Sequence, residues 1–496
     1  WNLDNFDIPY LYKRLIELFG LAYANELSPI GIVTWNSHRV RYFIAGVSCL
    51  DYMAQYRTFT FGERISYSLN SIGVLELNMG KIEYDGTLDT LYKTDKAKYI
   101  EYNLHDVRIV KKLDDKMKFI ELAKGIVHKG RVPLEDVHFS SRYLDGAILT
   151  YMKRKHIVAP NKPKYVHGSG EYDKYSGAFV KEPIPGKYYW IVDLDATSLY
   201  PSIIMSLNIS PETKVTNVQN WNSIDFKQNK PGRYSLTIGN KEANYDHDQL
   251  AKFLTESKMS ISSNGILYTT DTKGIIAEIL EKWFDERTEY KSLMKKHGKE
   301  KNQELYQYFY NRQYIQKVIL NSLYGVLGLP SFRFYDRENA EAVTMTGVEL
   351  IKFAEKVINQ FFRNELKDSS GGDYVIYVDT DSCFFSVENL IKHRHPNIDF
   401  NDIEKMSEAI LKIVKEIQDH VNLSMDYFSK SFLNIQEHKF NFKQELIAKS
   451  GFWTTKKRYA LDIINKEGIL MEELEVKGLD VIRTSFPKVF RDFMTG

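Results

Sequence analysis

Only two cysteines, Cys49 and Cys383, occur in 496 residues. They stand far apart and outside any metal-type spacing, which excludes a disulfide-stapled framework and a zinc module and points to a reducing, cytoplasmic compartment. No run of 18 apolar residues and no signal peptide is visible, so membrane and secretory readings fall away. Net charge is nearly absent too: 67 Lys and Arg against 65 Asp and Glu leave +2, too little to attract a polyanion through the overall field. Any nucleic-acid binding has to come from locally segregated Lys and Arg. Internal repeats and low-complexity tracts are also missing. What is present is an ordinary globular composition, 43% hydrophobic and 27% charged, in a chain long enough for two to four domains. The 33 Tyr and 28 Phe suit stacking on bases and equally suit a large aromatic core. The chain begins at Trp1 without a Met and ends after Thr495-Gly496, and reads as an excised or partial segment.

The most informative stretch is Tyr377-Val378-Asp379-Thr380-Asp381-Ser382. Apolar Val375–Val378 before it and Cys383–Phe385 after it predict a buried β-hairpin with acids at its turn. Alternate residues of a strand share a face, which would bring Asp379 and Asp381 to one cation. Hard cations such as Mg²⁺ want oxygen ligands, and a two-metal centre clamps the attacking and leaving oxygens of a phosphoryl transfer. Alone, Asp-Thr-Asp reads more simply as a polar turn; its company changes that reading.

Taken in order, Leu11, Leu15, Leu18 and Phe19 predict an amphipathic helix after Asp7. Val107, Ile109, Val110 and Leu113 predict another after Tyr102 and Asp106. An Asp before a helix is usually just an N-cap. Pro160–Pro163 looks like a linker, and Phe179–Glu182 like a short strand after the Tyr175-Ser176-Gly177-Ala178 turn. Trp190–Asp195 reads as a buried strand followed by a turn and a helix through Ile204. Asp193 and Asp195 share a strand face, so spacing does not choose between them. Two long helices are expected between Gly274 and Leu329, joined near Lys296–Lys299; Arg287 and Lys291 share a face of the first, and Gln313, Lys317, Asn321 and Tyr324 recur along the second. Helical periodicity resumes over 333–366 and much of 401–430. Lys456-Lys457-Arg458-Tyr459 precedes a strand and by itself would be a solvated basic turn.

Four of these stretches occur together in one order. Asp195-Ala196-Thr197-Ser198-Leu199-Tyr200-Pro201-Ser202, the specific string Lys317–Gly325, Asp379-Thr380-Asp381 and Lys456–Tyr459 resemble the A, B, C and basic motifs of family-B DNA polymerases. Asn208–Thr213 and Phe179–Pro185 extend the fit to the replicative polymerases of T-even-type bacteriophages. Asn5-Phe6-Asp7 and Tyr102–Asp106 resemble the later motifs of DEDD-type 3′–5′ exonucleases.

The resemblance implies a multi-domain α+β fold. Its parts would be a partial ribonuclease-H-like exonuclease domain (1–118), a return segment (119–165), a palm with an antiparallel sheet (166–273 and 331–478), helical fingers (274–330) and the start of a thumb (479–496). It implies addition of deoxynucleotides to a primer 3′-OH, with primer–template DNA and dNTPs as partners, a monomer, and a sliding clamp docking on a C-terminus missing here. Two Mg²⁺ ions, replaceable by Mn²⁺, would be held by Asp195, Asp381 and the Ala196 carbonyl, with Asp379 in support and Asp193 as a neighbour. Arg287, Lys291, Lys317, Asn321, Ser198, Leu199, Tyr200, Tyr324 and Gly325 would bind nucleotide, with Tyr200 excluding a 2′-OH. Lys456, Lys457, Arg458, Tyr459, Tyr175 and Gly177 would contact DNA. Asp7, Tyr102 and Asp106 would remain from an exonuclease site with too few acids to proofread. The rivals are an RNA-making or reverse-transcribing palm enzyme, a nucleotide cyclase, and a DNA-binding remnant without catalysis.

Overall fold

The computed structural model describes residues 1–37, 39–60, 64, 66–163 and 177–480. Tyr175 and almost all of the expected thumb segment therefore lie outside the described residues. Two compact units are present, one holding Trp1–Ala147 and the other Ile148–Leu479.

The first unit is mainly helical, with one antiparallel ribbon, Val33–Asn36 against Arg41–Ile44. The expected first helix spans Ile8–Phe19, but its buried residues are Ile8 and Tyr12, while Leu11, Leu18 and Phe19 are exposed. Apolar residues lie on more than one side of this helix, and packing decides which side is used: the Tyr12 ring meets Tyr42, and its hydroxyl donates to Asn25. The second expected helix is longer than its apolar pattern, running Lys96–Met117 from an Asp95 cap and burying Ile109 and Leu113. Tyr102 and Asp106 are thus inside the helix, not ahead of it.

The second unit is built on a six-stranded, wholly antiparallel sheet. Its strands are β1 (Gly186–Ala196), β2 (Val375–Asp379), β3 (Ser382–Ser386), β4 (Phe442–Thr455), β5 (Arg458–Lys466) and β6 (Ile469–Lys477), in the order β6-β5-β4-β1-β3-β2. Five long elements accompany it: α1 (Leu199–Leu207), α2 (Ile275–Lys299), α3 (Gln303–Leu327), α4 (Arg337–Leu366) and α5 (Ile403–Leu433). Strand alternation gives the sheet two distinct faces. Val192, Leu194, Cys383 and Phe385 are fully buried, and Phe362 of α4 meets Phe385 edge-on, so this face carries the helices. On the other face Ile191, Tyr377, Phe384, Trp453, Tyr459 and Leu461 form a second apolar cluster, and that layer supports the acids.

The α2–α3 pair is an antiparallel hairpin, as the sequence predicts, but its short turn falls at residues 300–302, because α2 runs on through the expected join at Lys296–Lys299. Residues 179–182 make only an isolated bridge, Val180 to Asp379, in place of the expected strand. Between α1 and α2 lies a small module that the apolar pattern does not announce: a three-stranded sheet, a hairpin Tyr234–Ile238/Lys241–Tyr245, and a helix His247–Glu256 around Leu236, Leu250 and Leu267. It is fastened to α4, where Glu349 accepts from Ser223 and Lys227. Among the described residues no helix is long and apolar enough to cross a membrane.

Candidate active site

The pairing of β1 with β3 sets Asp195 opposite Ser382 and Asp193 opposite Phe384. A two-residue turn, Thr380-Asp381, closes the β2–β3 hairpin; Thr380 has φ 61°, and the Asp381 N–H donates to the Asp379 carbonyl at 2.7 Å. The acids stand at the turn of a hairpin, as expected, but the reversal and not strand alternation carries Asp381: Asp379 ends a strand, Asp381 lies within the turn, and both line one cleft. The Asp381 carbonyl accepts from the Ala196 N–H at 2.8 Å, which ties the turn to the end of β1. Asp379 turns instead to its own neighbours. It accepts from the Tyr377 hydroxyl at 3.2 Å and from Thr380 at 3.0 Å, and Lys457 lies 3.7 Å away.

The result is a concentration of negative charge in a poorly solvated place. Burial, then Asp381 and then Glu445, push the Asp195 carboxyl far above the usual carboxylate range, against a modest pull from Ser382, whose hydroxyl donates to it at 3.3 Å. Asp381 is raised as well, by burial first and by Glu445 and Asp379 among its neighbours. Asp193 is fully buried, its carboxyl is raised chiefly by burial and by Asp195, and its Oδ1 has no hydrogen-bond partner. The shifts share their causes: desolvation of the ionised carboxylates first, and then the repulsion of acids placed together. Beside them opens a cleft of about 350 Å³, lined by Asp193, Asp379, Asp381, Glu445, Tyr459 and Lys477 among others.

Cations stand on the helical hairpin. Arg287 reaches Ser198, at the left-handed entry to α1, with Nη1 to Oγ at 3.3 Å, while its Nε is buried and unpartnered. Burial lowers the Arg287 guanidinium, the Lys291 amine and the Lys317 amine. Arg287 further lowers Lys317, whereas Glu445, Asp195 and Glu467 pull it back up, so Lys317 lies within electrostatic reach of both the cation row and the acids. Lys291 and Lys295 each sit 3.7 Å from Glu467, in the turn between β5 and β6. Below them the Tyr200 and Tyr324 rings meet at 4.3 Å between centroids. Leu199, at the start of α1, is buried. Asn321 and Gly325 are exposed on the same helix, and a Cβ added to Gly325 would meet nothing within 4 Å.

In the basic motif, Lys456 and Lys457 occupy the β4–β5 turn, and the Lys457 N–H donates to the Tyr377 hydroxyl at 2.9 Å. Arg458 begins β5 opposite Thr455. Tyr459 is 8% exposed and stacks on Trp453, so its ring is part of the apolar platform as well as a wall of the cleft. Gly177 is exposed, with open space around it. In the first unit, Lys81 Nζ lies 2.6 Å from Asp106 and 3.1 Å from the Tyr102 hydroxyl, while Asp7 is exposed at the end of a single π-turn.

Two carboxylates escaped the sequence reading. Glu445 reaches the acids through a register shift in β4 between Gln444 and Leu446, and Glu467 owes its place to a tight turn with φ 49°. The only signal for Glu445 is a charge just before the apolar run Leu446-Ile447-Ala448; for Glu467 it is the Lys-Glu-Gly turn itself.

Among the described residues no group of three or more His, Cys, Asp or Glu could by itself hold a metal ion. Asp195 and Asp381 both have their carboxyls raised, by burial first and by neighbouring acids after it.

Residues 139–495 match the profile of DNA polymerase family B. The chain is 31% identical to the DNA-directed DNA polymerase of Escherichia phage RB69, over 98% of its own length and 58% of the relative's. It is 28% identical to that of Enterobacteria phage T4, over 99% and 59%. A DNA polymerase of Pyrococcus glycovorans is 25% identical over 99% of the chain and 53% of the relative. The chain thus spans little more than half the length of these relatives. A match over most of the sequence, covering every one of the acid, lysine and tyrosine positions of the second unit described above, means that the chain belongs to DNA polymerase family B.

Proposed function

We propose that this chain carries the template-directed nucleotidyl-transfer centre of a DNA polymerase, adding deoxynucleotides to a primer 3′-OH. The observation that carries the reading is the opposition of two half-buried carboxylates, Asp195 and Asp381, crowded by Glu445, to Lys317 and the partly orphaned Arg287. In the same reading the six-stranded sheet with α4 and α5 is a palm, α2–α3 are fingers, and the first unit is part of an exonuclease domain.

Divalent cations, Mg²⁺ or Mn²⁺, would be held by Asp195 and Asp381 with the Ala196 carbonyl, and would supply Lewis-acid stabilisation of the 3′-oxygen and of the departing pyrophosphate. The chain's own groups do the rest. Arg287, Lys291 and Lys317 neutralise triphosphate charge that the +2 chain does not offset globally. Asn321 adds a hydrogen bond. Tyr200, backed by Tyr324 and Leu199, fills the space a ribose 2′-OH would need. Gly325 leaves room for the nascent base pair, so that its shape gates closure of the helices. Asp379 orders the turn through Tyr377, Thr380 and Lys457. Lys456, Lys457 and Arg458 grip the primer strand, and Tyr175 and Gly177 meet the template. The phage origin of two of the relatives supports the host cytoplasm as the place of action.

The first unit, in this reading, does not proofread: Asp106 is already paired with Lys81, and Asp7 is exposed. The test is extension of a labelled primer on a template with Mg²⁺, with and without chelator, alongside release of 3′-terminal nucleotides from single strands. Template-matched extension that needs the metal supports the proposal; no incorporation under any metal would overturn it.

A further inference from the structure

Residues 179–182 meet the six-stranded sheet at the turn that carries Asp381. β2 is the outermost strand on its side of that sheet, and Val180 bridges Asp379 along its open edge. Two backbone hydrogen bonds flank the bridge: the Lys181 N–H donates to the Val378 carbonyl and the Thr380 N–H donates to the Phe179 carbonyl, each at 3.0 Å. Thr380 is the residue whose φ of 61° turns the chain toward Asp381. A β-branched residue is strained there, and such a conformation persists only where its surroundings hold it. The Phe179 carbonyl is one such hold, so whatever fixes residues 179–181 also fixes the approach to Asp381.

The side chain that fixes them is Lys181. Its ammonium lies 2.8 Å from Glu355 on α4, 2.6 Å from Asp373 and 2.6 Å from the Val375 carbonyl at the start of β2. An ammonium has three hydrogens to donate, and three acceptors already surround this one, whose side chain is 17% exposed. Its donors are therefore spent inside the fold, unlike those of the far more exposed Lys456 and Lys457. The acceptors are tied down in turn. Asn359 donates to the other oxygen of Asp373 at 3.0 Å and accepts from the Tyr374 N–H at 2.7 Å. The Lys352 ammonium sits 4.6 Å from the centre of the Phe179 ring. Lys352, Glu355 and Asn359 recur at helical spacing, so one face of α4 grips both the 179–181 segment and the residues that open β2.

We propose that Lys181 is a positioning residue for nucleotidyl transfer: it locks residues 179–181 to α4 and β2, and through the Phe179 carbonyl it holds the Thr380 turn so that Asp381 stays beside Asp195. The role in catalysis rests on the polymerase reading; the latch itself does not. The cations assigned to the triphosphate stand on α2 and α3, elements other than those Lys181 joins. Loosening the latch should therefore slow the chemical step without weakening nucleotide binding, and a displacement of about 1 Å near a reacting centre can cost about 100-fold in rate.

The experiment pairs steady-state incorporation on a fixed primer–template with amide hydrogen exchange of the full chain. Lys181→Met keeps most of the apolar stem and removes the ammonium. It should speed exchange in the peptide spanning 377–382, leave exchange in β4 and β5 as in the parent, and lower kcat about 10- to 100-fold, with KM for dNTP and primer–template affinity unchanged. Glu355→Gln keeps the shape of one acceptor and should produce the same changes at smaller size; it carries the test if circular dichroism shows Lys181→Met unfolded. Unchanged exchange at 377–382, or unchanged kcat, in a folded variant would overturn the proposal. Faster exchange throughout the sheet would overturn it too, as general loosening. A drop in primer–template affinity with a salt slope shallower by about 0.9 would replace it with a phosphate contact. If the parent chain never extends primers while exchange at 377–382 still responds, the polymerase reading fails and the latch stands.

Discussion

Asp106 in the first unit and Asp195 in the second are both recessed carboxylates, yet the chain treats them oppositely. Asp106 meets a lysine at 2.6 Å through one oxygen, and a tyrosine hydroxyl shares that lysine, while its Oδ1 is buried without a hydrogen-bond partner. Asp195 is set beside Asp381 and Glu445 and has only a serine hydroxyl and a more distant lysine to help it. A buried acid that is ion-paired contributes to structure; one crowded by other acids lowers stability and has affinity to spare for a cation from outside. The difference is between an acid whose nearest charged neighbour is a lysine and one crowded by other acids.

The comparison is broken most drastically at the metal-facing acids. Asp195→Asn or Asp381→Asn should reduce primer extension by at least about 1000-fold, since misplaced metal ions forfeit several kcal/mol of transition-state stabilisation, while primer–template affinity in a filter or anisotropy assay stays near normal. Near-normal incorporation by either variant would remove both from the metal site. Lys317→Ala should lower kcat/KM for dNTP by about 10- to 100-fold, the range of a lost charge-assisted hydrogen bond; steady-state kinetics on a fixed primer–template reads it. Asp379→Asn should cost less, about tenfold, because that acid is engaged by Tyr377, Thr380 and Lys457.

Stability sharpens the contrast further. With carboxyls raised above their unfolded values, the folded state binds protons more tightly, so Asp195 and Asp381 favour folding at low pH and lose that contribution as pH rises from the ordinary carboxylate range toward neutrality. In chelator, thermal melts at pH 7 should therefore show Asp195→Asn more stable than the parent chain, with added Mg²⁺ stabilising only the parent. Lys81→Met should move the other way, destabilising by about 1 kcal/mol. A destabilised Asp195→Asn would mean that the acid is structural after all.

How much of this was legible follows from where each signal resides. Asp195, Asp381 and Lys317 stand in local strings whose residue types and order carry the chemistry, and the strands and helices around them have clear periodicity. Glu445 depends on a register shift in β4, and register is a property of two strands, not one. The path of Asp381 depends on one residue's positive φ at Thr380. The exposed side of Ile8–Phe19 could not be read because apolar residues wrap that helix, and only the neighbours choose a face. Tyr459 looked like a solvated basic-motif residue and is largely core, because the Trp453 ring across the hairpin covers it.

Gly325 has a consequence that belongs to protein engineering. Its φ is not in the left-handed region and nothing lies within 4 Å of an added Cβ, so the backbone itself gives no reason for glycine in the last turns of a 25-residue helix. An alanine there should raise stability by about 0.5–1 kcal/mol. If the same alanine impairs incorporation opposite a template base, the position is one where the enzyme tolerates a weaker helix so that a visiting surface can press close. A melt and an incorporation assay on Gly325→Ala would then report opposite signs from a single methyl group, marking the spot where optimising the fold and optimising its use part ways.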